Sequence, residues 1–414
     1  MARHRSTRAL HNDDSIRAAA VELVLKVGID VISFRDVGRT AKLSHGALYA
    51  RFEDVEELLV DLWDHVLVDR AIGLFEEVRL AAANPTKKNV DRVVKRLRHT
   101  SSEDVAMVQV LLTSRRFVIL HEEVEAFIHD YLELASDDIS STGHARALTF
   151  FALVIVGILS AAQGGLDAAD FEYLETTILE ALKISPDPTP PVDAMAIRDH
   201  HIGVPHHDLR ALLAYHTFLA VGTSGYARAT ISRISRRANC SPGAIYKLYP
   251  SKEDLIIGAM GSLMEAPWMT ISNFAEILDP GVLAQLLYSA ASDENLVRKS
   301  FTLEVAMASA QSNKLRAAVR SQVRRLEAVV PLIDGLDEDD RTQLKCMIRV
   351  ITFLTLGVGF LSAITKATDH VDFNEFAEPL RQSLLNNNAP SWVEIQRQLH
   401  NLAGPTKTVG TTNS

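Results

Sequence analysis

Apolar residues in this chain return every three to four positions, the spacing of a helix with one buried face. The long stretches 71–184 and 268–402 show no strand-like alternation. The pattern predicts an all-α protein. The clearest short examples are Phe34, Val37 and Ala41, and again Ile231, Ile234 and Ala238. Ser33 and Thr230 stand where an N-cap hydroxyl accepts a free backbone N–H, and Asp36 is placed to complete a capping box. Lys42-Leu43 and Asn239-Cys240 then predict a tight turn, with Asn239 suited to a left-handed backbone. Ser44 and Ser241 cap a second helix that ends near Phe52 and Tyr249. A third starts at Asp54 or Ser251, each followed three residues later by an acid, Glu57 or Asp254. Two longer runs carry no charge: nineteen residues at 148–166 and sixteen at 350–365. A membrane span needs about 20 apolar residues. The second run is shorter, holds four Thr or Ser, and is bounded by Arg349 and Lys366. Both runs are therefore expected as core helices of a soluble protein, with no membrane partner.

The two short patterns are copies of one another. Residues 28–58 align without a gap on residues 225–255, 197 positions on, with nine identical pairs that include Gly28/Gly225, Arg39/Arg236, Ser44/Ser241, Gly46/Gly243, Tyr49/Tyr246 and Glu56/Glu253. Solenoid repeats have periods of about 20–50 residues, so this spacing means duplicated domains. The duplication reaches the ends of both halves, because Gly157-Ile-Leu-Ser-Ala161 returns as Gly359-Phe-Leu-Ser-Ala363. Each copy reads as a helix-turn-helix unit, whose second helix is short enough to lie in the major groove of DNA.

The second copy contains Ser-Pro-Gly-Ala-Ile-Tyr-Lys-Leu-Tyr-Pro-Ser-Lys-Glu-Asp-Leu at 241–255, and the first a more divergent Ser-His-Gly-Ala-Leu-Tyr-Ala-Arg-Phe-Glu-Asp-Val-Glu-Glu-Leu at 44–58. Both resemble the DNA-binding head of the TetR/AcrR family of bacterial transcriptional regulators. The resemblance implies two TetR-like halves, each a three-helix head on a helical ligand and dimerisation domain, pairing as an intramolecular pseudo-dimer. It implies DNA contacts from Ser33, Arg35, Ser44, His45, Gly46, Ala47, Tyr49 and Arg51 in the first head. In the second it implies Thr230, Ser232, Arg233, Ser241, Pro242, Gly243, Ala244, Tyr246, Lys247 and Lys252, the last matching the family's phosphate-contacting lysine. Small Gly-Ala lets the backbone approach, and the tyrosine reaches a phosphate oxygen. The paired helices of the family's dimer bundle would be the two apolar runs and segments 171–183 and 373–385. Gly157, Ser160, Ala161, Gly359, Ser362 and Ala363 are expected where the halves cross. Met107, Leu111, Phe117, Leu303 and Met307 are apolar candidates for a ligand pocket, though most such residues are ordinary core.

Charge separates the heads. Residues 209–252 hold seven Lys or Arg and no Asp or Glu, the footprint of a phosphate-facing surface. The first head has Val55 in place of Lys252, flanked by Glu53, Asp54, Glu56 and Glu57, which a phosphate would repel. Arg3, Arg5 and Arg8 form a basic arm that either enters a minor groove or stays a solvated tail. The net charge of −9 counts for less than this distribution.

The 414 residues divide into heads at 10–70 and 207–267, larger domains at 71–184 and 268–402, a proline-rich linker at 185–206 and a tail at 403–414. Four histidines in and beside the linker (His200, His201, His206, His207) lack a preorganising element, which favours a solvated linker over a metal site. Cys240 and Cys346 cannot form a disulfide framework, and the first apolar segment is too interrupted by charge for a signal peptide; a reduced, cytoplasmic, nucleoid-associated setting is expected. No GxSxG, P-loop, HExxH, CxxC or Rossmann pattern occurs, so neither an enzyme nor a cofactor is expected. The leading expectation is a repressor released from a double-stranded operator by a small lipophilic effector, with possible further homodimerisation. Two rivals remain: a helical interaction protein whose first head no longer reads DNA, and a membrane-associated sensor.

Overall fold

Both heads form the three-helix arrangement that their capping residues predict. The computed structural model describes residues 7–132, 142–185, 208–264, 279, 281–292, 296–386 and 392–403. Arg3 and Arg5, linker residues 186–207 and tail residues 404–414 lie outside the described residues. Helix α1 (Thr7–Val27) ends at Gly28, whose φ of 87° favours glycine. Helices α2 (Phe34–Ala41) and α3 (His45–Tyr49) follow, with the Ser33 and Ser44 hydroxyls accepting from the Asp36 and Ala47 N–H groups. Asp36 accepts the Ser33 hydroxyl proton instead of the backbone N–H that would complete a capping box. In the second head, α11 (Leu209–Ser224), α12 (Ile231–Arg237) and α13 (Pro242–Leu248) repeat the design, with Gly225 at φ 85° and Thr230 and Ser241 as caps. The turns between the paired helices carry Lys42 and Asn239 in the left-handed region at φ 57° and 49°.

Helix α4 (Val55–Leu62) does not stop at the head. It runs through one π turn at Trp63–Leu67 into α5 (Val68–Ala83), joining head and body without a loop. The first body continues with α6 (Lys87–Arg98), α7 (Ser102–Thr113), α8 (Val118–Phe127), α9 (Thr142–Ala162) and α10 (Ala168–Lys183). The second half follows its head with α14 (Lys252–Met264), α15 (Val282–Ala291), α16 (Leu296–Ser309) and α17 (Asn313–Glu327). It closes with α18 (Glu338–Ser362), α19 (Asn374–Asn386) and α20 (Trp392–Ala403). No strand occurs among the described residues.

The halves join as an intramolecular four-helix bundle in which α9 packs along α18 and α10 along α19. At the crossing, a Cβ on Gly357 would stand 1.9 Å from the Ala152 carbonyl oxygen, so only glycine fits there. Polar clamps fix the register. Asp170, almost wholly buried, completes a capping box with Asp167 and receives Arg349 Nη1 at 2.5 Å from the other half, while Arg349 Nε donates to Glu327 at 2.7 Å. Burial works against the Arg349 charge, but Glu327 and Asp170 outweigh it and hold the guanidinium more firmly protonated than usual. Burial and the Asp170 carboxylate push the Cys346 thiol up, which keeps it unreactive.

The crossing corrects one expectation. Gly157 faces Leu97 of its own half, with a Cβ site 3.1 Å from that side chain, and Gly359 faces Ala290 and Lys299 of its own half. Ser362 likewise turns inward, accepting from Lys299 Nζ at 2.8 Å, and Ser160 lies under Gly165. Of the six small residues, Ala363 has a described polar link across the halves, its carbonyl accepting from Arg115. Ala161 is half-buried against the core. Helices α9 and α18 are long and apolar enough to cross a membrane by length and composition, but 83% of each apolar window is buried inside the fold. The first head shares the main core with both bodies, whereas the second keeps its own, in which Leu213, Ile234, Ile245 and Leu255 pack with Phe301 and Val305 of α16.

Candidate nucleic-acid interface

The exposed rims of α3 and α13 carry matched side chains. Tyr49 is 57% exposed and Tyr246 is 54% exposed, although each is a large aromatic on a helix whose other face supplies buried Leu48 or Ile245. Around Tyr49 lie exposed Ser44, His45 and Gly46 and half-buried Ala47, with the His45 ring 4.8 Å from Tyr49 and Phe34 beneath it at 4.9 Å. Around Tyr246 lie exposed Ser241, Pro242, Gly243 and Lys247 and half-buried Ala244. Arg35 on α2, and Thr230, Ser232 and Arg233 on or beside α12, are exposed on the preceding helices, and Ser33 is half-buried. A tyrosine with free edges beside a helix N-terminus suits a phosphate oxygen.

The cations divide into two groups. Arg210, Arg228, Arg233, Arg236, Arg237 and Lys247 of the second head are all exposed. Lys252 is not presented in that way. Its ammonium donates to the Tyr226 carbonyl at 2.5 Å and lies 4.1 Å from the Tyr226 ring centre, where burial lowers its pKa. Its first task in this fold is to hold the loop before α12. Arg51 of the first head is similarly committed, donating to Asp13 at 2.6 Å and to the Ala47 carbonyl at 2.9 Å. Arg39 pairs with Asp36 at 2.8 Å. Arg8 belongs to the first turn of α1.

The acids beside Val55 also need sorting. Glu53, Asp54 and Glu57 are exposed, and Asp54 caps α4 through the Glu57 N–H. Glu56 turns the other way, and its carboxylate accepts the Ile119 N–H at 2.6 Å and the Leu120 N–H at 3.4 Å at the start of α8. Its counterpart Glu253 accepts the hydroxyl of Ser312, the N-cap of α17, at 2.5 Å. One matched pair of glutamates thus ties each head to the N-terminus of a body helix, where unpaired N–H groups favour negative charge. The identity of the pair is visible in the sequence, but its partners come from residues about 60 positions away.

A second tie joins the heads to each other. Arg116, after α7, forms ion pairs with Asp30 of the first head and Glu304 of α16. Glu304 in turn accepts the Tyr226 N–H of the second head at 2.7 Å. Both loops begin at the matched glycines. The Cβ site of Gly225 would be 3.0 Å from Arg116 Cζ and 3.2 Å from Asp30 Oδ2, and that of Gly28 would be 2.9 Å from the Gln311 side chain. Burial lowers the Arg116 pKa, with Asp30 opposing it. No motif announces this clasp, because its members come from four separate segments.

Two heads of one design on a paired helical body define the helix-turn-helix class of DNA-binding transcriptional regulator. The family model for bacterial regulatory proteins of the tetR family matches residues 16–62 and again residues 221–259, so each half of the chain carries a head of the tetR type. No curated protein matches the chain.

Proposed function

We propose that this chain is an effector-responsive repressor that places two different heads on one non-palindromic operator. The observation that carries the reading is the mismatch of exposed residues at matched positions: His45 against Pro242 and Ala50 against Lys247 beside the shared Tyr49 and Tyr246. Base edges in the major groove are read by such side chains, so unlike heads select unlike half-sites. Ser33, Ser44, Thr230 and Ser241 position the helices on phosphates, and Gly46-Ala47 and Gly243-Ala244 allow close approach. Release by an effector is a shift of population between head spacings, since two recognition helices must sit about 34–36 Å apart to enter successive grooves. The heads act in the cytoplasm, and the chemistry is binding, without an enzymatic step. The heads are proposed at 10–70 and 207–267 and are to be tested within the full chain, because α5 continues the first head into its body.

A second reading is favoured by the pairing of Arg51 with Asp13 and the exposed carboxylates Glu53, Asp54 and Glu57. On it, the first head serves as an interaction surface and the second alone reads DNA. Genome-wide binding by wild type and by the double variant His45→Ala/Tyr49→Ala separates the two. The operator reading expects loss of one half of the bound motif, and an unchanged motif favours the interaction surface.

A further inference from the structure

The internal repeat allows one flank of the bundle to be compared with the other. At the end of α9, the flank beside α17 is closed. Arg320 donates to the Gln163 carbonyl, Gln163 Nε2 to the Ala306 carbonyl at 3.4 Å, and the Ser309 hydroxyl to Gln163 Oε1 at 2.7 Å. At the matched end of α18, the flank beside α8 is open, and a cleft of about 610 Å³ separates α8 and its following π turn from residues 362–366. This volume falls in the range of about 300–1,000 Å³ typical of small-molecule sites. Leu296 offers half-buried apolar surface beside the buried Ile128 and Ile364, while Arg115, His121 and Lys366 bring basic groups. Glu125, the carboxylate of the lining, is already paired with His121 at 3.0 Å.

We propose that this cleft binds one amphiphilic carboxylate per chain and is the effector site of the regulator. The proposal rests on the effector-responsive reading above and names the ligand class for it. A chain of methylenes suits Leu296 and the aliphatic stems of Arg115 and Lys366, and the carboxylate suits their charged ends, where it competes with Asp369, 3.8 Å from Lys366 Nζ. The site is also well placed to act. Arg115 donates to the Ala363 carbonyl across the halves, and the next residue, Arg116, holds Asp30 and Glu304 in the clasp between the heads. A carboxylate that draws Arg115 from Ala363 moves the segment on which the clasp depends. The matched flank is closed by Gln163, so the proposed site lies on one flank of the bundle and one ligand is expected per chain.

Calorimetric titration of the full chain with decanoate, and separately with 1-decanol, tests the assignment. Decanoate is expected to saturate at one equivalent per chain and decanol to bind at least tenfold more weakly. Lys366→Glu, at a residue 61% exposed, is expected to weaken decanoate at least tenfold with helix content unchanged. Leu296→Trp, at a half-buried residue of the lining, narrows the cleft and is expected to weaken decanoate at least tenfold. No saturable binding, two equivalents per chain, equal affinity for decanol, or wild-type affinity in Lys366→Glu would each overturn the proposal. DNA binding measured without decanoate judges the regulator reading separately.

Discussion

Lys247 stands exposed at the end of α13, while Lys252, five residues on, lays its ammonium on the Tyr226 carbonyl and ring. The difference decides what each substitution should do. Lys247→Ala should lower the salt slope of DNA binding by about one unit, as for one lost phosphate contact. Lys252→Ala should act first on the fold, costing about 1–3 kcal/mol as a charged hydrogen bond is lost, read as a lower midpoint in thermal unfolding. A slope unchanged in Lys247→Ala at every salt concentration would remove that side chain from the interface. The basic surplus of the second head was legible in the sequence, since composition alone reports it. Which cations are committed elsewhere was not, because Lys252 meets a loop about 26 positions back and Arg51 meets Asp13 on α1. Capping serines were legible one by one, because an N-cap bond spans only three residues.

Helices α2, α3, α12 and α13 follow from local pattern, and so does the burial of α9 and α18. Their rotation about their own axes does not follow. Gly357 lies two residues from Gly359, about 200° around the helix, so one glycine faces the other half and its neighbour faces home. Gly357→Leu should therefore separate the halves and abolish specific DNA binding with helix content largely retained. Gly157→Leu should only press on Leu97, costing about 1–3 kcal/mol as an overpacked site. Specific binding retained in Gly357→Leu would contradict the crossing. The Glu56 tie belongs to the same scale. Glu56→Ala leaves the first N–H groups of α8 without their carboxylate and should cost about 0.5–2 kcal/mol, the usual cost of a lost cap, measured by denaturant unfolding.

Across the whole molecule, the intramolecular bundle joins the two halves of one chain, while the clasp of Asp30, Arg116 and Glu304 links the two heads. Glu304→Ala leaves Arg116 with Asp30 alone and the Tyr226 N–H without its acceptor, and should cost about 1–3 kcal/mol. Glu304→Gln, which keeps an acceptor for the Tyr226 N–H, should cost less, and the ordering of the two variants in thermal melts checks the clasp. The duplication was legible because Gly28 and Gly225 open gapless copies of one motif. The clasp was not, since four segments meet there only after both halves have folded. The central claim is that one chain, with two unlike heads, covers a complete operator. Light scattering of the purified protein–DNA complex, together with a footprint on the same fragment, tests it directly. The account predicts one chain on a single site with two different half-sites; two chains on a symmetric site, each contributing the same head, would contradict it.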